Sequence, residues 1–133
     1  MIVADTNLLA YLVLPGERTE AAERVLARDP EWAAPLLWRS EFRNVLVTYL
    51  RSKGMGIKPA VEAFDRAHSF VRGREYAGET LRVLECAERS SCSAYDCEFV
   101  SLAEEIGVPL VTSDGQVLRE FPSTAISMEE FAR

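Results

Sequence analysis

The sequence contains one histidine, His68, and three cysteines, and it lacks the motifs of several large enzyme classes. Cys86, Cys92 and Cys97 form an odd set without a CxxC pair, which argues against a disulfide framework and a zinc site. No glycine-rich phosphate loop and no GxSxG turn is present, so P-loop and α/β-hydrolase chemistry are excluded. Cys97 has no basic neighbour in the sequence, and His68 falls within a predicted helix. We therefore interpret Cys97 as a packing residue and His68 as a helix-surface residue.

Long apolar runs are also missing. No run approaches the ~20 residues that a membrane-spanning helix needs. The segment Met1–Asp5 has no basic region and reaches an acid after four residues, which is unlike a signal peptide. Because the cysteines indicate a reducing compartment, we expect a cytoplasmic protein without a membrane anchor.

Basic residues are outnumbered by acidic ones, and the net charge is −6. The 133 residues are 48% hydrophobic and 27% charged, which predicts one globular domain over residues 1–133. Residues 39–74 carry eight Lys and Arg against three acids, so this segment is +5 and the remainder is −11. Such an asymmetry is compatible with a phosphate-facing surface, although a solvated helix face is the more common origin of a basic segment. Charge alone does not decide between them.

Short apolar runs alternate with helical patterns along the chain. Helices are predicted over 7–14, 19–28 with Thr19 as N-cap, 39–52, from Pro59 onward, 79–89 and 94–106. Strands are predicted at 2–4, 32–37, 109–112 and 125–126, with a further strand beginning at Phe70-Val71. This alternation predicts an α/β fold in which helices cover both faces of a parallel sheet.

Four carboxylates fall at positions that such a fold brings to one edge. Asp5 and Asp114 follow predicted strands, and the functional crevice of an open parallel sheet lies at the carboxyl ends of its strands. Asp96 and Glu41 lie in the first turns of predicted helices. Taken singly, each aspartate has an alternative as a helix cap, and Glu41 has one as a boundary residue that reaches solvent.

Taken together, the four acids indicate a metal centre. Like charges in one crevice repel, and either proton sharing or a divalent cation relieves the repulsion. Magnesium prefers oxygen ligands, binds through one or two carboxylates and leaves room for substrate phosphates. A metal of this kind activates water and stabilises the charge that develops during phosphodiester hydrolysis.

Three stretches of the sequence resemble the PIN domain family, and specifically the VapC-type toxins of bacterial toxin–antitoxin pairs. The first is Ile2-Val3-Ala4-Asp5-Thr6-Asn7, and the second is Ser40-Glu41-Phe42-Arg43-Asn44-Val45-Leu46. The third runs from Ser93-Ala94-Tyr95-Asp96-Cys97 through Leu102-Ala103-Glu104 to Gly107-Val108-Pro109-Leu110-Val111-Thr112-Ser113-Asp114. Their order and spacing match the family over essentially the whole chain.

The resemblance implies a three-layer α/β/α domain with a central parallel sheet of four to five short strands. It also implies an endoribonuclease that depends on Mg²⁺, with Mn²⁺ as a possible substitute. Asp5 and Asp96 would be the principal metal ligands, and Glu41 and Asp114 would complete the acidic pocket. Asn7 and Thr112 match supporting positions. Family members of this type form homodimers, and a VapB-type antitoxin inhibits them, so RNA, an antitoxin and a second copy are the expected partners.

Two other functions compete with this one. A PIN-like module that binds RNA or protein without cutting would tolerate loss of the acids, but all four are present. A receiver-like phosphotransfer domain also carries an acid after its first strand. It needs a lysine on the rim after the last strands, where neither Lys53 nor Lys58 lies.

Overall fold

A parallel sheet of five strands forms the centre of the molecule in the computed structural model, which describes residues 1–133. The strand order is β3-β2-β1-β4-β5, and every neighbouring pair is parallel. The strands are β1 (Ile2–Ala4), β2 (Trp32–Pro35), β3 (Glu75–Tyr76), β4 (Leu110–Val111) and β5 (Ala125–Ile126). The prediction of a parallel sheet of four to five short strands is confirmed.

Eight helices surround the sheet. They are α1 (Thr6–Val13), α2 (Thr19–Arg28), α3 (Trp38–Ser52), α4 (Ile57–Val71), α5 (Thr80–Glu88), α6 (Ala94–Ile106), α7 (Gly115–Glu120) and α8 (Met128–Phe131). Helix α1 packs against α2, α3 and α4, whereas α5 packs against α6, which contacts β1, β2 and β4. The result is the expected three-layer α/β/α arrangement. None of the helices combines the length and the apolar character needed to cross a bilayer.

Apolar side chains between these layers form one core. The three residues of β1 are fully buried because helices cover both faces of the central strand. Trp32, Trp38 and Phe42 are the largest fully buried side chains. Helix α6 ends at Gly107, whose φ of 69° lies in the left-handed region where glycine avoids a Cβ clash.

The predicted strand at Phe70-Val71 is wrong. Helix α4 continues through Val71, since Ala60, Ala63, Ala67 and Val71 form one buried stripe at helical spacing. The third strand is instead Glu75–Tyr76, which pairs with Ala34 and Pro35 of β2. Strand β3 has only two residues and lies at the edge of the sheet. It is therefore defined by its pairing with β2 and has no apolar pattern of its own.

The start of α2 also differs from expectation. Thr19 is the first residue of the helix and Arg18 occupies the N-cap position. The Thr19 hydroxyl accepts a hydrogen bond from the Gly16 N–H at 3.0 Å and donates to the Tyr11 carbonyl at 2.8 Å. It therefore closes the loop before α2 and does not cap the helix. The short helix α8, which Ser127 caps, was not predicted.

A polar cluster attaches edge strand β3 to helices α3 and α4. The Glu75 carboxylate, 10% exposed, accepts hydrogen bonds from Trp38 Nε1 at 2.7 Å and from Arg39 Nε and Nη2 at 2.7 Å each. His68 Nε2 lies 3.0 Å from the same carboxylate. His68 is therefore a partly buried member of this cluster, and its interpretation as a helix-surface residue is wrong. Arg39 holds the pKa of Glu75 at about 2, helped by the hydrogen bonds from Trp38 and His68 and opposed by burial.

The strand order places the topological switch point beside β1. After β1 the chain builds β2 and β3 on one side of it, and later β4 and β5 on the other. Because all strands are parallel, the carboxyl ends of β1 and β4 lie side by side at one edge. Asp5 follows β1 directly, and Thr112 and Asp114 follow β4.

Candidate active site

A cleft of about 480 Å³ opens at this edge of the sheet. All four predicted carboxylates, Asp5, Glu41, Asp96 and Asp114, line it. Its other lining residues are Thr6, Asn7, Leu37, Ser40, Asn44, Val45 and Tyr95. No lysine or arginine is among them, so a phosphodiester entering the cleft would meet only negative formal charge. The arrangement therefore calls for an added cation.

Asp5 is oriented by a residue from the neighbouring strand end. It occupies the N-cap position of α1 but makes no side-chain cap hydrogen bond, so the capping alternative is wrong for this residue. Its Oδ2 instead accepts from Thr112 Oγ1 at 2.6 Å, and Thr112 is 1% exposed. Burial raises the pKa of Asp5, and the charges of Asp114 and Asp96 raise it further, against the lowering effect of the hydrogen bonds.

Glu41 is held in a similar way by α1. Its Oε1 accepts from Thr6 Oγ1 at 2.7 Å, and its side chain is partly buried at the first turn of α3. Burial raises the pKa of Glu41, and nearby Asp5, Asp96 and Glu98 raise it further. Glu41 is therefore a cleft carboxylate that favours protonation more than an exposed glutamate does.

Asp96 lies in the first turn of α6. Ser93 caps this helix, since its hydroxyl accepts from the Asp96 backbone N–H at 3.1 Å. The Asp96 carboxylate does not return the bond to Ser93, so the two residues form only half of a capping box and Asp96 itself is not a cap. The carboxylate is left available in the cleft, at a helix end whose dipole favours negative charge.

Asp114 combines the two functions that the sequence left open. Its Oδ1 accepts from the Val117 N–H at 3.0 Å, which confirms that it caps the short helix α7. Its backbone N–H donates to Thr112 Oγ1 at 3.0 Å. Thr112 thus connects Asp5 and Asp114, while the capping bond fixes the orientation of the Asp114 side chain at the cleft.

The charged groups that line the cleft are all carboxylates, whose oxygens are the kind of donor that a hydrated divalent cation takes. In these side-chain positions no three histidine, cysteine or acidic side chains converge closely enough to hold one ion. Asp5, Asp96, Asp114 and Thr112 do line a recess of about 10 Å³ behind the cleft, close to the space of one water. Magnesium is commonly bound through one or two carboxylates and keeps several waters. The cleft supplies that number of carboxylates without needing three at contact distance.

The basic segment does not contribute to the cleft. None of the eight lysines and arginines between residues 39 and 74 lines it. Arg39 binds Glu75, Arg43 lies over the ring of Phe64, and Arg74 donates to backbone carbonyl groups. The interpretation as a phosphate-facing surface therefore finds no support at the acidic cleft.

Several lining residues were not singled out from the sequence. Thr6 donates a hydrogen bond to Glu41, and Ser40, Asn44 and Tyr95 complete the walls. Glu98 does not line the cleft, but its charge raises the pKa of Glu41. Helical periodicity contained part of this information, because Asn44 and Val45 are one turn beyond Glu41 on the same face of α3. No local pattern identifies Thr6 as the partner of a residue 35 positions away. The predicted supporting residue Asn7 does line the cleft.

Comparison with known proteins agrees with this geometry. The PIN domain profile matches residues 2–122. Ribonuclease VapC3 of Pyrobaculum aerophilum is 29% identical over 125 residues, which cover 92% of this chain and 95% of the relative. A toxin–antitoxin complex from Klebsiella pneumoniae has a similar fold, with a TM-score of 0.71 and 17% sequence identity. The match covers 96% of this chain and 98% of the Klebsiella pneumoniae chain. FitAcB from Neisseria gonorrhoeae also has a similar fold, with a TM-score of 0.76 and 13% sequence identity. The match covers 97% of this chain and 99% of the FitAcB chain. Profile, relative and fold agree, and the chain belongs to the PIN domain family.

Proposed function

We propose that this PIN domain is an endoribonuclease dependent on a divalent metal ion, Mg²⁺ or Mn²⁺, and that it is the toxin of a VapBC-type pair. The observation that carries the proposal is the cleft itself, which is lined by four carboxylates and by no basic residue. A surface of this kind repels RNA unless a cation is bound. The similarity to a protein named Ribonuclease VapC3 supports RNA as the substrate.

The residues divide into ligands and supporting groups. We assign Asp5 and Asp96 as principal metal ligands, with Asp114 and Glu41 completing the site. When bound, the metal would supply positive charge against the phosphate and would lower the pKa of water. Thr112 holds Asp5 through the 2.6 Å hydrogen bond, and Thr6 holds Glu41. Because burial raises the pKa of Glu41, this carboxylate is suited to accept a proton from the attacking water.

The direct test is RNA cleavage by the purified protein with Mg²⁺, with Mn²⁺ and with a chelator. Asp5→Asn and Asp96→Asn are each expected to abolish cleavage while far-UV circular dichroism stays unchanged. Asp65→Asn is the matched control, because Asp65 is exposed on α4 outside the cleft and its loss should leave the rate unchanged. Cleavage that persists in the chelator, or in both cleft variants, would refute the assigned site. RNA binding without cleavage by the wild type would favour a non-catalytic binding module.

An antitoxin and a second copy of the chain are the proposed protein partners. The antitoxin is suggested by the Klebsiella pneumoniae relative, a toxin–antitoxin complex. Co-purification with the product of a neighbouring small gene, and loss of RNA cleavage in that complex, are the expected results. Light scattering on the isolated chain tests the homodimer, and a monomeric mass at all concentrations would exclude it.

A further inference from the structure

Helix α3 supplies more of the cleft wall than any other element, yet no side chain of its own caps its first turn. Together with its N-cap residue it provides five of the eleven lining residues, namely Leu37, Ser40, Glu41, Asn44 and Val45. The other cleft helices α6 and α7 are capped by the side chains of Ser93 and Asp114. The N-cap residue of α3 is Leu37, whose apolar side chain cannot accept a hydrogen bond. The start of α3 therefore depends on contacts from elsewhere in the fold.

Those contacts come from Glu75 of edge strand β3. Its carboxylate accepts hydrogen bonds at 2.7 Å from Trp38 Nε1 and from Arg39 Nε and Nη2, and Trp38 and Arg39 are the first two residues of α3. A guanidinium that binds a carboxylate through two parallel bonds fixes geometry as well as adding energy. Glu75 is itself fixed to the sheet, because β3 pairs with β2 and the Leu36 N–H donates to the Tyr76 carbonyl at 3.0 Å. The sheet edge thus holds the first turn of α3 from outside the cleft.

Glu41 lies in the turn that Glu75 holds. It is two residues beyond Arg39, and its backbone N–H donates to the Leu37 carbonyl at 3.1 Å. The Glu41 carboxylate is held separately, by the 2.7 Å hydrogen bond from Thr6 of α1. The position of this carboxylate therefore depends on Thr6 at the tip of the side chain and on the first turn of α3 at its base. A site group is precise only when the element that carries it is fixed as well.

We propose that Glu75 is a positioning residue for the cleft, which holds the first turn of α3 through Trp38 and Arg39 and thereby fixes Glu41 where a cation would bind. The proposal rests on the metal-dependent function proposed above, and none of the three holding residues lines the cleft. Loss of a group that supports a metal ligand commonly costs about 10- to 100-fold in metal affinity or activity. Because Glu75 acts through the helix and not on Glu41 directly, we expect a loss at the lower end, about tenfold.

Binding of Mn²⁺ to the metal-free protein, measured by isothermal titration calorimetry without RNA, tests this proposal. Glu75→Gln should bind Mn²⁺ about tenfold more weakly than the wild type. Arg39→Lys keeps the charge but loses the two parallel bonds, so it should show a smaller loss in the same direction. Val25→Ala is the control for stability, because it removes buried apolar volume from α2, away from Glu75 and the cleft. Its affinity for Mn²⁺ should equal that of the wild type.

A double variant tests whether Glu75 acts through Glu41. Glu41→Gln should itself weaken Mn²⁺ binding, and adding Glu75→Gln to it should cause no further loss, since the group to be positioned is already gone. In RNA cleavage at saturating Mn²⁺, Glu75→Gln should lower kcat about tenfold and leave KM unchanged, because Glu75 contributes no surface to the cleft. Reduced stability alone would change neither the affinity nor kcat of the folded protein.

The outcomes separate this inference from the proposed function. If the wild type binds Mn²⁺ and cleaves RNA while Glu75→Gln binds Mn²⁺ equally well, the inference is overturned and the nuclease remains. Equal losses in Val25→Ala and Glu75→Gln, or additive losses in the double variant, overturn it too. If Glu75→Gln does not fold, unchanged Mn²⁺ affinity in Arg39→Lys overturns it. If Mn²⁺ binding follows the expected pattern but RNA is not cleaved, the positioning role stands and the nuclease fails. A wild type that binds no Mn²⁺ refutes both.

Discussion

Replacing Glu75 by glutamine should destabilise the protein, although Glu75 lies outside the cleft. Its carboxylate, 10% exposed, accepts from Trp38 and twice from Arg39, all at 2.7 Å, and from His68 at 3.0 Å. These bonds are the main side-chain attachment of β3 to α3 and α4. Glutamine has a similar shape but no charge, and it presents an NH₂ group to a cluster made of donors. At least one buried donor therefore loses its acceptor.

The pKa of Glu75 sets the scale of the effect. A decrease from 4.5 to about 2 corresponds to roughly 3 kcal/mol in favour of the charged form. Arg39, the main cause, is 37% exposed, so solvent screening reduces the expected loss to about 2 kcal/mol. For a domain of 133 residues this loss corresponds to a decrease in Tm of about 7 °C at neutral pH.

The stability that Glu75 contributes should depend on pH. Because the folded state lowers the pKa of Glu75, the stabilisation is complete above the ordinary value of 4.5 and is lost as the pH falls toward about 2. The stability difference between wild type and Glu75→Gln should therefore shrink between pH 5 and pH 2. Other carboxylates titrate in both proteins and cancel in the difference.

Urea unfolding followed by far-UV circular dichroism at pH 7 and about pH 3 measures this difference. The control is Glu20→Gln, which removes an exposed i,i+4 pair with Arg24 and should change stability by less than about 0.5 kcal/mol. If Glu75→Gln were no less stable than Glu20→Gln, or if its deficit were the same at both pH values, the reasoning would be wrong.

Two further substitutions test the site and the backbone. Glu41→Gln should raise the Tm of the metal-free protein at neutral pH, because the raised pKa of Glu41 means that the fold disfavours its charge. The gain should vanish below its ordinary pKa of 4.5, where Glu41 is protonated, and a decrease in Tm at neutral pH would refute the repulsion argument. Gly107→Ala should lower the free energy of unfolding by about 1 kcal/mol, because alanine is strained at a φ of 69°. No atom lies within 4 Å of the added Cβ, so backbone strain is the only cost that urea unfolding should detect. An unchanged midpoint would show that the helix end relaxes without strain.

Local patterns predicted the elements that position most of the site. The apolar run before Asp5 is β1, and the helix predicted over 94–106 begins and ends at those residues in the structure. Ser93 and Gly107 mark its two ends by a side-chain cap and a positive φ, and both features need only neighbouring residues. Because parallel strands point one way, the acids after β1 and β4 had to lie at one edge of the sheet. All four predicted carboxylates accordingly line one cleft.

The third strand and the polar contacts could not be predicted in this way. Strand β3 consists of two residues at an edge, and its pairing with β2 and the hydrogen bonds of Glu75 define it. Phe70 and Val71, which looked more like a strand, belong to α4 because Val71 completes its buried stripe. A short edge strand carries little periodicity, so its own sequence does not specify it.

The sequence by itself determined the α/β class and the position of the acids after strands and in first helical turns. These properties follow from apolar periodicity, caps and charge, which act over a few residues. Only the tertiary structure decided which hydroxyl orients each acid. Thr112 reaches Asp5 across 107 residues, and Thr6 reaches Glu41 across 35. Such contacts exist only after the sheet has assembled, because pairing of β1 with β4 and packing of α1 on α3 bring these residues together.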